Sequence, residues 1–176
     1  WVAAVLQHQF PNAQRMANIH TSRNPAPQPE LFTVAFVRHP LTWYQSYFSY
    51  KQRKGWDPNN DWDDVVRCDS FPDFVEAAIS KTPAYYSKML RRFVGRACDE
   101  MEFIGRFESL TDDLVNALQL AGEEFDENVI RNTPPVNQTS YDRYPAVYSD
   151  GLAERVLEVE AEAVERFYSE NANCSE

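Results

Sequence analysis

The feature that most constrains this chain is the run LFTVAFV at residues 31–37, broken at once by Arg38, His39 and Pro40. Such a short, almost continuous apolar run, rich in β-branched and aromatic residues, reads as a strand buried on both faces, as in a parallel sheet. Proline is tolerated in the first turn of a helix, where its missing N–H has no partner to lose. The polar-aromatic stretch 41–53 is therefore expected to be a helix. On it Thr42, Ser46, Ser49 and Arg53 share one face, and Leu41, Tyr44 and Phe48 another. A strand that delivers an arginine at its C-terminal end, with hydroxyls on the helix behind it, suits a phosphate. The guanidinium forks the anion with two charge-assisted hydrogen bonds, and a helical hydroxyl one to two turns in can reach the same group.

The rest of the chain supplies the setting. Residues 1–10 have helical apolar spacing and end at Pro11-Asn12. Residues 15–20 read as a short strand or extended segment, and 22–29, with Pro25, Pro27 and Pro29, as a loop. Ser70 looks like the cap of a helix with Pro72 in its first turn, Asp73 completing a box and a stripe of Phe74, Val75, Ala78 and Ile79. A second short helix covers 85–94 and carries Lys88, Arg91 and Arg92 on a solvated face. Residues 101–107 form the second strand. A helix face of Leu110, Leu114, Ala117, Leu118 and Ala121 follows and is closed by Gly122. Residues 132–144 are irregular, and 149–169 read as one last helix. Strands followed by helices imply an α/β, three-layer domain with a mainly parallel sheet, in a single domain over 1–176.

Composition enters as exclusion. The net charge of −10 argues against nucleic acid as a partner, since phosphate backbones need a basic face. A local basic pocket is still allowed, and Arg38, Lys51, Arg53 and Lys54 cluster around the opening stretch. Cys68, Cys98 and Cys174 form neither a zinc pattern nor a disulfide framework, which favours a reduced, cytoplasmic setting. No apolar run approaches the roughly 18 residues a membrane span needs, and no signal peptide is visible. The acidic stretch 57–64 departs from calcium-loop spacing and reads as a solvated surface loop, so no metal is expected. The chain begins at Trp1 inside a helical pattern without an initiator Met, and is read as a fragment whose start lies upstream.

These stretches together resemble the sulfotransferases, which use 3′-phosphoadenosine 5′-phosphosulfate (PAPS) on a P-loop-like fold. In that family a strand end gives an Arg to the 3′-phosphate, and a Ser eight residues later gives a hydroxyl to it; VAFVRHPLTWYQSYFSY, at 34–50, places Arg38 and Ser46 at that spacing. IGRFESLTDDL, at 104–114, is similar to the family's strand–aromatic–Glu–x–Leu segment, which implies that Phe107 lies near the adenosine, where family members often have Tyr. WVAAVLQHQFP, at 1–11, resembles the helix after the 5′-phosphosulfate loop. The resemblance makes Trp1 the adenine-stacking aromatic and puts the first strand and P-loop before residue 1. In the cytosolic branch a His roughly twenty residues before the phosphate Arg is the base, and His20 stands eighteen before Arg38. A His of near-neutral pKa suits removal of a hydroxyl proton. The likeness is most specific over 31–50, weaker over 101–118, and weakest in the last forty residues, where the family's Arg-Lys-Gly segment is not visible.

The resemblance implies an enzyme that transfers a sulfuryl group from PAPS to a small-molecule or carbohydrate hydroxyl, leaving adenosine 3′,5′-bisphosphate, without a metal. The fragment itself would be inactive. Two other readings stay open: a P-loop nucleotide or small-molecule kinase, and a degenerate, non-catalytic binding domain of the same fold.

Overall fold

The computed structural model of the chain describes residues 1–12, 31–95, 101–134 and 145–169. It divides into two compact units, Trp1–Val37 with Arg91–Gln138, and Arg38–Leu90 with Thr139–Glu176. The strand expected over 15–20, the loop over 22–29 and His20 lie outside the described residues, as does most of 132–144.

The first unit holds helix α1 (Val2–Gln9), strands β1 (Val34–Val37) and β2 (Phe103–Arg106), a single 3₁₀ turn (Phe107–Ser109), and helices α6 (Leu110–Leu120) and α7 (Glu127–Asn132). The strands are parallel, in register from Val34 opposite Phe103 to Val37 opposite Arg106. The mixed helix-and-strand class and the parallel pairing are as expected, with two strands in the sheet among the described residues. Burial on both faces is not found: Val37 is buried, but Val34 is 38% and Phe32 36% exposed. Among the described residues β1 has one strand neighbour, β2, and its start is only partly covered.

The core of this unit is Val5, Leu114, Val115, Leu118 and Ile130, with Trp1, Val2, Leu6, Phe10, Phe36 and Phe125 packed against it. Gly105 sits opposite Phe36. A Cβ there would lie 2.5 Å from the Phe36 ring and 3.0 Å from Asp113 Cβ, so the pairing requires a residue without a side chain. Asp113 accepts hydrogen bonds from the Arg106 amide and the Ser109 hydroxyl, tying the end of β2 to α6. Helix α6 ends as expected at Gly122, which takes φ 72°. The amides of Glu123 and Gly122 return to the carbonyls of Leu118 and Gln119, which satisfies the last turn.

The second unit contains α2 (Pro40–Lys54), α3 (Asp61–Val66), α4 (Phe71–Lys81), the start of α5 (Tyr85–Val94), α8 (Leu152–Val159) and α9 (Ala161–Tyr168). Helix α2 begins at Pro40, with His39 Nδ1 accepting from the Leu41 amide at 3.3 Å. Helix α4 is capped as expected, Ser70 Oγ accepting from the Asp73 amide at 3.2 Å and donating to its carboxylate at 2.6 Å. It buries Phe71, Phe74, Val75, Ala77, Ala78 and Ile79. Phe74 alone, fully buried among Tyr44, Tyr47, Phe48, Trp62 and Phe71, is worth about 1.5–3 kcal/mol of burial.

Two expectations are corrected here. The stretch 57–64 is not a solvated loop throughout. Asn60 caps α3 through its side-chain oxygen, and Trp62, Asp63 and Val66 are buried. The last helix is two helices, broken at Glu160, whose side chain turns into the core. Among the described residues no helix is long and apolar enough to cross a membrane, and no group of acidic, His or Cys side chains could hold a metal ion.

Candidate functional site

Arg38 is the first residue of the second unit and follows β1 directly. Its backbone is held by one side chain. The Tyr86 hydroxyl donates to the Arg38 carbonyl at 2.6 Å and accepts from the Arg38 amide at 3.1 Å. The guanidinium is held by another: Nε donates to Thr42 Oγ1 at 3.2 Å, and the Thr42 hydroxyl donates to the His39 carbonyl at 3.0 Å. Arg38 thus lies along the first turn of α2. Ser46, half-buried, follows Thr42 by one turn on the same face. The His39 ring meets Tyr168 edge-on at 4.9 Å.

Beneath this turn lies a buried carboxylate. Glu160, fully buried, accepts from the Tyr44 hydroxyl at 2.8 Å, the Tyr86 amide at 3.1 Å, the Ser87 amide at 2.8 Å and the Ser87 hydroxyl at 2.6 Å. It acts as the cap of α5, whose own preceding residue, Ala84, has no side-chain acceptor and sits at φ 57°. Burial, then the Glu160 charge and hydrogen bond, push the Tyr44 phenol far above its ordinary range, so it stays a donor. The Tyr86 ring is stacked on Trp43, centroids 4.6 Å apart and planes at 29°.

A second buried carboxylate, Asp63, receives the Tyr47 hydroxyl, the Lys51 ammonium and, at 2.8 Å, the Asp57 amide. Burial and this hydrogen bond raise the Tyr47 phenol as well. Lys51 therefore does not join Arg38 in a basic pocket; it is paired inside the protein. Arg53 and Lys54 are exposed in the last turn of α2, where positive charge complements the helix dipole.

Of the residues expected to bind nucleotide, Arg38 and Ser46 fall in the second unit, at the start and on the body of one helix. Trp1 and Phe107 fall in the first. The Trp1 indole N–H donates to the Thr133 carbonyl at 2.9 Å, and its half-buried ring packs on the Val5–Leu114 core. Phe107 opens the 3₁₀ turn after β2 and is 47% exposed. A groove of about 440 Å³ in the second unit, walled by Phe48, Phe71, Pro72 and Val147, opens on the α2 face away from Ser46.

Thr42, Tyr86 and Glu160 were not marked as site residues by the sequence. Thr42 was legible as a member of the Ser46 face. The start of α5 carried a subtler signal: a helix opening Ala84-Tyr85-Tyr86-Ser87, with no local cap, needs an acceptor from elsewhere.

Compared with protein-family models, curated proteins and solved structures, the chain matches none.

Proposed function

We propose that the Arg38–Ser46 turn is the 3′-phosphate-binding half of a PAPS site, in a sulfotransferase-like domain of P-loop-like, three-layer α/β fold. The observation that carries this reading is the placement of Arg38. It stands at the C-terminal end of a strand in a parallel pair, clamped by Tyr86, with Thr42 and Ser46 in line behind it. A fixed guanidinium with a hydroxyl two turns along one helix face is suited to a phosphate dianion.

In the reaction, the acceptor hydroxyl oxygen attacks the sulfur in line as the bond from sulfur to the bridging oxygen breaks. The sulfate ester and adenosine 3′,5′-bisphosphate are the products, and the hydroxyl proton passes to a base. His20 is the proposed base. The contribution of Arg38 and Ser46 is to hold the nucleotide by the phosphate that ordinary nucleotides lack, which fixes the leaving group for in-line attack.

Calorimetric titration with adenosine 3′,5′-bisphosphate tests the reading. Arg38→Ala is expected to weaken binding by about 1.5–3 kcal/mol, the scale of a hydrogen bond to a charged group. Unchanged affinity removes Arg38 from the site. His20→Ala is expected to abolish sulfuryl transfer while nucleotide affinity stays; retained turnover removes His20 from the base role.

A further inference from the structure

None of the residues lining the groove of about 440 Å³ in the second unit belongs to the proposed nucleotide site. Its volume falls near the lower end of the roughly 300–1,000 Å³ of small-molecule sites, and like them it joins apolar walls to a few polar groups. The walls are held in place. Phe71 is set between Phe48, edge-on at 5.5 Å, and Tyr148, edge-on at 4.8 Å. Gln45 Nε2 donates to the Ala146 carbonyl at 2.8 Å, and the Tyr148 hydroxyl donates to the Leu41 carbonyl at 2.9 Å. These bonds strap the segment 145–148 to α2. Val147, between the two ties, is 69% exposed, more than any other large apolar side chain among the described residues. Walls fixed in advance lose little freedom when a ligand arrives.

The polar end of the groove carries one sign of charge. Asp69 lines it and has no hydrogen-bond or ion-pair partner among the described residues. No basic side chain is among the lining residues. Lys81, the cation felt at the neighbouring Cys68, gives its ammonium to the Val65 carbonyl at 3.2 Å. The start of α4, which also forms the wall, offers an anion little. Pro72 has no N–H, the Asp73 amide is bound to Ser70 Oγ at 3.2 Å, and the Phe74 amide to the Ser70 carbonyl at 3.0 Å. Gln52 spends its nitrogen on the Cys68 carbonyl at 2.9 Å, so its amide oxygen is what it can offer a ligand.

We infer that this groove binds a small organic cation, its apolar or aromatic body lying on Phe48, Phe71, Pro72 and Val147 and its ammonium group meeting Asp69 and the Gln52 amide oxygen. A neutral ligand of the same shape covers the walls but leaves the carboxylate unpaired, and an anion is repelled by it. The net charge of −10 draws cations toward the protein as a whole, and the groove selects those that carry an apolar body. The inference stands independently of the nucleotide reading, because the two sites share no residue.

The test is a titration of the isotope-labelled protein followed by nuclear magnetic resonance, with three probes that share a phenyl ring: phenethylammonium, phenethyl alcohol and hydrocinnamate. The ammonium is expected to give saturable shifts at the Val147 methyls and at the Gln52 and Asp69 amides. The alcohol is expected to bind about three- to fivefold more weakly, the scale of an exposed ion pair. The carboxylate is expected to bind at least about tenfold more weakly, since repulsion replaces attraction. Asp69→Asn, at an exposed position, is expected to weaken the ammonium about three- to fivefold and to leave the alcohol within about twofold. Val147→Ser is expected to weaken ammonium and alcohol alike, by about threefold. Four results would each overturn the inference: no saturable shift at the groove, shifts spread over the acidic surface instead, equal binding of ammonium and carboxylate, or an ammonium affinity that Asp69→Asn leaves unchanged.

Discussion

In the first unit the buried cluster of Val5, Leu114, Val115, Leu118 and Ile130 is apolar throughout, and the carboxylate of Asp113 works at its edge. In the second, Asp63 and Glu160 are fully buried, Lys51 nearly so, and tyrosine hydroxyls from successive turns of α2 reach the two carboxylates. The first arrangement needs only volume and shape. The second needs partners, because a buried charge without them is expensive. The lesson is one of specificity. An apolar cluster tolerates small slips, whereas Tyr44 must meet Glu160 and Tyr47 must meet Asp63, which fixes how α2 is rotated. Thr42 and Ser46 are thereby fixed on their own face of the same helix.

The comparison breaks most visibly at Asp63. Asp63→Ala leaves the Lys51 ammonium, the Tyr47 hydroxyl and the Asp57 amide without their acceptor. A loss of about 3–5 kcal/mol is expected in denaturant unfolding. Replacing the pair together, Lys51→Met with Asp63→Leu, is expected to cost far less, since both charges leave the core at once. If the single and double replacements cost the same, the buried pair is not what holds this region.

In the first unit the sensitive point is steric. Gly105→Ala is expected to cost about 1–3 kcal/mol by pressing a methyl into the Phe36 ring. A companion Phe36→Leu should recover part of the loss. Failure of that partial rescue would place the strain elsewhere.

Alkaline pH gives the smallest and most selective effect. Tyr44 and Tyr47 have phenols raised above the ordinary value near 10. In the unfolded chain they ionise near pH 10, while in the folded protein they keep their protons. The stability they contribute is therefore fully present below about pH 10 and is lost as pH rises from there toward the folded values. Tyr44→Phe should flatten that decline; an unchanged alkaline slope would mean that the phenol at Glu160 is not protected.

Much of this was legible in the sequence where local chemistry decides the outcome. Pro40 marks the start of α2, Ser70 and Asp73 that of α4, and Gly122 the end of α6. The spacing of Arg38 and Ser46 placed one at a strand end and the other on a helix, and both are found there. What was missed depends on distant partners. The apolar stripe of Leu152, Val156, Ala163 and Phe167 runs on past Glu160 as if the helix were continuous, and only the pull of Tyr44 and the α5 amides explains the break. Asp63 looked like one acid among many in GWDPNNDWDD, because its partners Tyr47 and Lys51 belong to another helix. Asn60, with Trp62 and Val66 one turn apart, did offer a readable sign of α3. An apolar run such as 31–37 reveals a strand but not how many neighbours cover it.

The most direct measurement is calorimetry of the protein with two ligands that differ by one group: adenosine 3′,5′-bisphosphate and adenosine 5′-monophosphate. If Arg38 and Ser46 hold the 3′-phosphate, the bisphosphate binds more tightly by about 1.5–3 kcal/mol, and Arg38→Ala erases that preference. Equal affinity for the two ligands, or a preference that survives Arg38→Ala, would contradict the assignment.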